Sequence, residues 1–432
     1  MAMQIDFGID VRRQRQGHLE HVVWNSGNIV NGHMLMVGMS GSGKTHTLRR
    51  MINQMKSSAT EKLHFHVFDV HGDIVIDDAS SVQFSEQTAY GLNPLRLNPD
   101  PHFGGVRKRI QSFLSIMGKT HTLGTKQEAT IRNILQDLYE WRGFRINDAR
   151  TWSEIPQQRT YPTLDDAYRV ASHLLRTRFL GSNQNALKNL EQVNKKAQAV
   201  QRRLKNSQGC TSDDDREVEE LETAKAKAIE AYAKYVSSIS SGTEMNDILK
   251  YNSVDVLKSV VERLENVRAI GVFKDLPPPF DAEAPVWRYD LKALGRNEQI
   301  MFVLFRLQEM FDAARQRGEQ DHIRDVIVLD EARIYADDDP DNPINTISTE
   351  GRKFGMALIC ASQSPTHFPE NFVSSVATKI VLGIDEMYWD STTRKMGISR
   401  EQLRWVTPRK SCVIQIKQPG QTRSDWRGAI LP

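Results

Sequence analysis

Six short apolar runs punctuate the chain, and each stops at a glycine or a polar residue. His33-Met34-Leu35-Met36-Val37 closes at Gly38. Residues 63–70 (LHFHVFDV) alternate and reach Asp69. Val326-Ile327-Val328-Leu329 runs straight into Asp330-Glu331. Residues 356–361 (MALICA), 377–384 (ATKIVLGI) and 411–416 (SCVIQI) have the same character. Segments with helical spacing of apolar positions lie at about 45–56, 125–141, 298–316 and 399–405. Continuous apolar strands separated by helix-length segments predict an α/β fold, with a parallel sheet covered on both faces.

A different rhythm holds from about 182 to 240. Leu190, Val193, Ala197, Val200 and Leu204 recur at heptad spacing, and so do Val218, Leu221, Lys225, Ala228, Tyr232, Tyr235 and Ile239. Between them lies a polar break, NSQGCTSDDD (206–215), that suits a turn. Dense charge of both signs accompanies the pattern. It predicts either an antiparallel helical hairpin inserted in the sheet domain or one side of a coiled coil with another chain. The Pro277-Pro278-Pro279 cluster marks the return to the core. The organisation expected is therefore an amino-terminal core segment at 1–160, a helical insertion at 161–275 and a carboxy-terminal core segment at 276–432.

Composition narrows the class. In 432 residues, 57 Lys+Arg face 54 Asp+Glu, a net charge of only +3, so any nucleic-acid contact must come from a local patch. Hydrophobic residues at 39% and charged residues at 26% exclude a disordered chain. The three cysteines, Cys210, Cys360 and Cys412, have neither disulfide-framework nor zinc spacing. No apolar run approaches the roughly 20 residues of a membrane span, and the amino terminus lacks a signal-peptide core, so a cytoplasmic location is the expectation.

Three motifs carry chemistry. Residues 38–45, Gly-Met-Ser-Gly-Ser-Gly-Lys-Thr, fit G-x-x-x-x-G-K-[ST] between an apolar strand and a helical pattern. Gly41 and Gly43 allow backbone N–H groups to curl round phosphate oxygens. The following helix aims its positive end at the same phosphates. Lys44 would contact the β- and γ-phosphates of ATP, and the Thr45 hydroxyl would ligate Mg²⁺. Gly38, Ser40, Ser42 and His46 complete the candidate nucleotide-binding set. The second motif is Asp330-Glu331 at a strand end. Asp330 can hold Mg²⁺, and Glu331, expected to point the other way along the pleat, can polarise the attacking water. In the third, Gln363 at a strand tip can orient water and report hydrolysis. Arg352 precedes that strand and is either a candidate to reach a neighbouring subunit's phosphate or an ordinary surface cation.

Taken together, GMSGSGKT (38–45), FDVHGD (68–73), GLNPL (91–95), VIVLDEA (326–332) and EGRKFGMALICASQSP (350–365) resemble the HerA/FtsK superfamily of ring-forming DNA motors, and its HerA branch most closely. The resemblance implies a RecA-like P-loop ATPase sheet, a hexameric ring and ATP at subunit interfaces. It also implies translocation of double-stranded DNA through a central pore. By it, Lys44, Thr45 and Asp330 bind Mg-ATP, Glu331 activates water, Gln363 is the sensor and Arg352 the arginine finger for the adjacent subunit. Asp69 and Asp73 match acidic positions near the ATP pocket. About 30 residues precede the phosphate-loop strand, fewer than the small β-barrel that usually opens HerA proteins requires.

The expected function is an ATP-driven DNA motor acting with a nuclease or other effector, in DNA processing or defence against foreign DNA. An ATP-controlled scaffold for an effector and a secretion-type protein-moving ATPase are the alternatives. Candidate phosphate-backbone contacts are Arg107-Lys108-Arg109, Lys119 with Lys126, Arg394-Lys395 and Arg409-Lys410, and nothing resembles a base-reading module. His64 and His66 read as half-buried strand residues.

Overall fold

The computed structural model describes residues 3–154, 159–180, 184–207, 215–238, 250–251, 253–421 and 424–432. The chain divides into two compact units. One comprises Met1–Thr120, Ile146–Arg159 and Ala269–Pro432, and the other His121–Arg145 and Thr160–Arg268.

The first unit is built on an 11-stranded sheet. In chain order its strands are β1 (Gln4–Asp10), β2 (His21–Asn25), β3 (Met34–Val37), β4 (His64–Asp69), β5 (Ala79–Gln83) and β6 (Val286–Asp290). They continue with β7 (Asp325–Leu329), β8 (Met356–Ser362), β9 (Thr378–Val381), β10 (Ser411–Ile416) and β11 (Trp426–Ile430). The spatial order is β2-β1-β11-β10-β9-β3-β8-β7-β4-β6-β5. Pairing is parallel from β9 across to β5. It is antiparallel from β9 through β10, β11 and β1 to β2. All six apolar runs of the sequence are strands. The run at 411–416 departs from the expected parallel sheet, because β10 meets both of its neighbours antiparallel.

Every residue of β3 and β8 is buried, which explains why their sequences are apolar without alternation. On the helix Lys44–Ser58, Leu48, Met51, Ile52 and Met55 recur every three to four residues and are fully buried in the core cluster that covers β3 and β8. The helix Arg296–Arg317 buries Met301 to Phe305 without a break, and Phe305 stacks on Phe113 of the helix Val106–Thr120 at 5.7 Å.

The second unit is helical. Its helix Thr125–Trp141 carries the buried Asp137, which accepts the Tyr251 hydroxyl at 2.7 Å and pairs with Lys250 at 2.5 Å. Helices Gln184–Ser207 and Asp215–Ser237 pair antiparallel: Asn189 Nδ2 donates to the Lys234 carbonyl at 3.2 Å, while Arg203 pairs with Glu220 at 3.6 Å. Their seam differs from the heptad read from the sequence. Ala224 and Tyr235 are buried, whereas Tyr232 and Leu204 are exposed. Gly209, Cys210 and Ile239 lie outside the described residues. Among the described residues, no helix is long and apolar enough to cross a membrane.

Candidate active site

The parallel strands share one direction, so their carboxyl ends converge on a single edge, the usual ligand edge of such sheets. The phosphate loop leaves β3 there. Gly38 N donates to the Ser362 carbonyl of β8 at 3.0 Å, and Met39 N to the Gly383 carbonyl beyond β9 at 2.8 Å. A Cβ on Gly38 would sit 2.4 Å from Ser42 Oγ and 3.2 Å from Leu382 Cβ, so a side chain here forces Ser42 to move. Gly41 and Gly43 hold left-handed backbone (φ 75° and 97°), and Gly43 caps the helix Lys44–Ser58. The loop therefore turns a helix amino terminus toward a cavity of about 660 Å³, lined by Ser40, Gly41, Ser42, Gly43, Lys44, Thr45 and His46. Lys44 Nζ bridges the carbonyls of Gly38 (2.8 Å) and Met39 (3.2 Å). Burial lowers its pKa, and the charges of Glu331 and Asp330 oppose that shift.

Asp73, Asp330 and Glu331 line the same cavity. Asp330 is buried, and burial, then the neighbouring Glu331 charge, raises its pKa to about 6. Asp73 Oδ2 lies 3.5 Å from Thr45 Oγ1. Hydroxyl and carboxylate oxygens converging here form the donor set a hard divalent cation such as Mg²⁺ takes. A bound cation would favour the ionised form of Asp330.

Glu331 departs from the expectation drawn from the pleat. β7 ends at Leu329, and Glu331 adopts left-handed backbone (φ 47°). Both carboxylates thus reach one cavity instead of opposite faces. Strained backbone of this kind costs on the order of 1–3 kcal/mol and persists only where its surroundings impose it. Here Gln363 Nε2 donates to Glu331 Oε1 at 3.3 Å, and Arg333 Nε lies 2.9 Å from Oε2. Arg333 was not singled out from the sequence; the only signal was its place two residues after Glu331.

Asp69 also differs. It is fully buried and does not line the cavity. Its oxygens accept from Arg288 Nη2 (2.7 Å) and Nε (3.0 Å) and from the backbone N–H groups of His71 (3.2 Å), Gly72 (2.7 Å) and Ile74 (2.9 Å). A carboxylate so bonded shapes the loop that presents Asp73, and one of its oxygens lies within 4.8 Å of carboxylate oxygens of Asp73 and Asp330.

Arg352 stands at the other end of the sheet. It lies in the short turn Gly351–Phe354 before β8, is exposed, and has no ion pair among the described residues. β8 pairs in parallel with β3 through Val37↔Ser362, so the phosphate loop sits level with the far end of β8. The whole strand separates Arg352 from the phosphate loop of its own chain.

The basic clusters divide. Arg109 is buried and pairs with Asp312 at 3.5 Å, and Lys119 bridges Asp337 (2.8 Å) and Asp339 (2.7 Å). Lys395 is tied to the Phe368 carbonyl. These three are engaged within the fold, whereas Arg107, Lys126, Arg394 and Lys410 are exposed. Arg409 is elsewhere than expected: it lines the phosphate-loop cavity. His64 and His66 share one face of β4, with Nδ1 and Nε2 3.0 Å apart and Asp325 nearby.

The family described as the central domain of helicase HerA matches residues 20–277, more than half of the chain. The chain belongs to the HerA family. This HerA-family fold is shared with other P-loop ATPases. VirB4 of Thermoanaerobacter pseudethanolicus superposes with a TM-score of 0.63 at 13% identity, covering 99% of this chain and 96% of that one. The plasmid coupling protein TrwB in complex with ADP and Mg²⁺ superposes at 0.51 and 11% identity, over 100% and 95% of the two chains. TrwB with a non-hydrolysable GTP analogue gives 0.53 at 10% identity, over 100% and 95%. No curated protein matches the sequence. At these identities the likeness establishes the RecA-like P-loop ATPase fold. With the family match it supports nucleotide binding and ATPase activity for the HerA-family chain.

Proposed function

We propose that this chain is an ATP-hydrolysing motor that assembles into a ring, six subunits by family resemblance, and moves double-stranded DNA without regard to sequence. The observation that carries the ring is the separation of Arg352 from its own phosphate loop by the length of β8, while Glu331 lines the cavity with Gln363 bonded to it. In this reading a second copy of the chain adds its Arg352 to the cations already at the site.

In this reading Lys44 and the loop N–H groups hold the β- and γ-phosphates. Thr45 and Asp330 would hold Mg²⁺, which when bound neutralises charge on those phosphates. Glu331 accepts a proton from water as its oxygen attacks the γ-phosphorus, and the bond to the β-phosphate oxygen breaks to release ADP. Gln363, bonded to Glu331, orients that water. Arg352 of the neighbour stabilises the charge spread over the transferring group.

Movement of DNA follows the family's description as a helicase, and the exposed Arg107, Lys126, Arg394 and Lys410 are cations available for phosphate contact. A nuclease or other effector as working partner rests on the family resemblance alone. The test is steady-state ATPase activity with and without linear duplex DNA, against Glu331→Gln, with particle size measured alongside. Stimulation by DNA in a ring-sized species, absent from the variant, supports the proposal. Slow turnover indifferent to DNA contradicts it and favours a protein-moving motor or an ATP-controlled scaffold.

A further inference from the structure

Arg409 lies 368 residues from Gly41 in sequence, yet its side-chain Nε donates to the Gly41 carbonyl at 3.0 Å. Its backbone N–H donates to the Ser42 carbonyl at 3.2 Å. Its Cγ would be 3.6 Å from a Cβ placed on Gly43, so the side chain lies against the tightest turn of the phosphate loop. These contacts require left-handed backbone (φ 65°) at an arginine, an arrangement ordinary side chains avoid. Asp78 and Glu331 are the other non-glycine residues with positive φ among those described, and Glu331 belongs to the same cavity. Strain in the two residues flanking one site marks the loop as held against its local preference.

The engagement leaves the two terminal guanidinium nitrogens without a hydrogen-bond or ion-pair partner among the described residues, although Arg409 lines the cavity with Lys44. A guanidinium in this position offers two further donor nitrogens and a permanent positive charge to a polyphosphate. Arg409 also belongs to a larger element. It sits just before β10, where Leu431 N donates to the Lys410 carbonyl at 2.9 Å and Ser411 pairs with Ile430 of β11. Leu431 and Pro432 line the cavity as well.

We infer that Arg409 is a nucleotide-binding residue acting in cis. It clamps the carbonyl side of the phosphate loop with its Nε and backbone N–H and gives its terminal nitrogens to the phosphates. The inference rests on the ATPase reading of the cavity and adds a third cation to Lys44 and the neighbour's finger. Through β10 and β11 it gives the antiparallel edge of the sheet a direct contact with the nucleotide, which Arg352, at the opposite end of β8, does not have.

Titration with fluorescent ADP and ATP analogues tests it, using the full chain as wild type, Lys44→Ala, Arg409→Gly and Arg409→Lys, with melting temperatures measured in the absence of nucleotide. Glycine accepts the left-handed backbone, so Arg409→Gly removes the guanidinium while relieving strain. The expected result is at least about tenfold weaker binding of both nucleotides by Arg409→Gly, at an unchanged or higher melting temperature. Partial recovery is expected in Arg409→Lys, which keeps the charge and loses the fork. Wild-type affinity in Arg409→Gly would overturn the inference while leaving the ATPase reading intact. A wild-type chain that binds no nucleotide, or binds as well after Lys44→Ala, would overturn both.

Discussion

Replacing Arg352 with alanine should abolish turnover without weakening nucleotide binding, and the sheet geometry says how the loss can be restored. β8 spans seven residues, and its carboxyl end is level with the phosphate loop through Val37↔Ser362. At about 3.3 Å per residue the strand alone places roughly 20 Å between Arg352 and the phosphates of its own chain, beyond the reach of any side chain. In the proposed ring the guanidinium therefore acts on a neighbour's nucleotide. An arginine finger is worth about 10³-fold or more in turnover, so Arg352→Ala should fall to a small residue of wild-type activity. Lys44→Ala should be inactive for the opposite reason, having a finger but no competent phosphate loop. When the two variants are unfolded or dissociated, mixed in equal amounts and reassembled, half of the sites carry an intact loop. Half of those face an intact finger. About one-quarter of wild-type turnover should return if sites fire independently. The assay is steady-state phosphate release at saturating ATP, with binding of a fluorescent nucleotide measured in parallel. Wild-type turnover in Arg352→Ala, or a mixture no more active than the average of its parents, would refute the reasoning.

Three further outcomes follow from individual contacts. Asp69→Asn removes charge from a fully buried carboxylate that holds Arg288 and three backbone N–H groups, and should cost about 3 kcal/mol in urea denaturation; a loss below about 1 kcal/mol would contradict the assigned role. Gly38→Ala places a Cβ 2.4 Å from Ser42 Oγ and 3.2 Å from Leu382 Cβ, so it should destabilise the chain by about 1–3 kcal/mol and weaken nucleotide binding, both seen in thermal melts with and without ADP. His33 is buried, accepts the Leu358 N–H on Nδ1 at 3.1 Å, and is held by burial at a pKa of about 4, below the ordinary 6.5. The unfolded chain then binds a proton that the native chain refuses. This contribution to stability is present above pH 6.5 and is lost as pH falls toward 4, about 2 kcal/mol between pH 7 and pH 5. A urea midpoint series in which His33→Asn leaves the pH slope unchanged would contradict it.

What could be read in the sequence was what lies close together along it. The phosphate loop, its strand and its helix are contiguous, and each glycine has a conformational reason that a motif expresses. The apolar runs of β3 and β8 were legible because strands buried on both faces show no alternation. The antiparallel edge was not: β1, β2 and β11 are half exposed and mixed in composition, and their membership in the sheet depends on pairing between the two ends of the chain. Arg409 was misplaced for the same reason, since its contact with Gly41 bridges nearly the whole sequence, and an Arg-Lys pair looks alike beside a phosphate loop or on a solvated surface. Glu331 was assigned to the right strand end but the wrong face, because the pleat rule fails where backbone turns left-handed. Asp69 stands at the expected place beside Asp73 and Asp330, but its bonds to Arg288 and to the loop it shapes had no signal in the sequence.

Displacement of a third strand from a triplex on linear duplex DNA tests most directly whether hydrolysis at this cavity moves the duplex. The account predicts displacement that requires ATP, is not supported by a non-hydrolysable analogue, and disappears in Glu331→Gln and Arg352→Ala rings. A ring that hydrolyses ATP, binds the duplex and leaves the third strand in place would contradict the account.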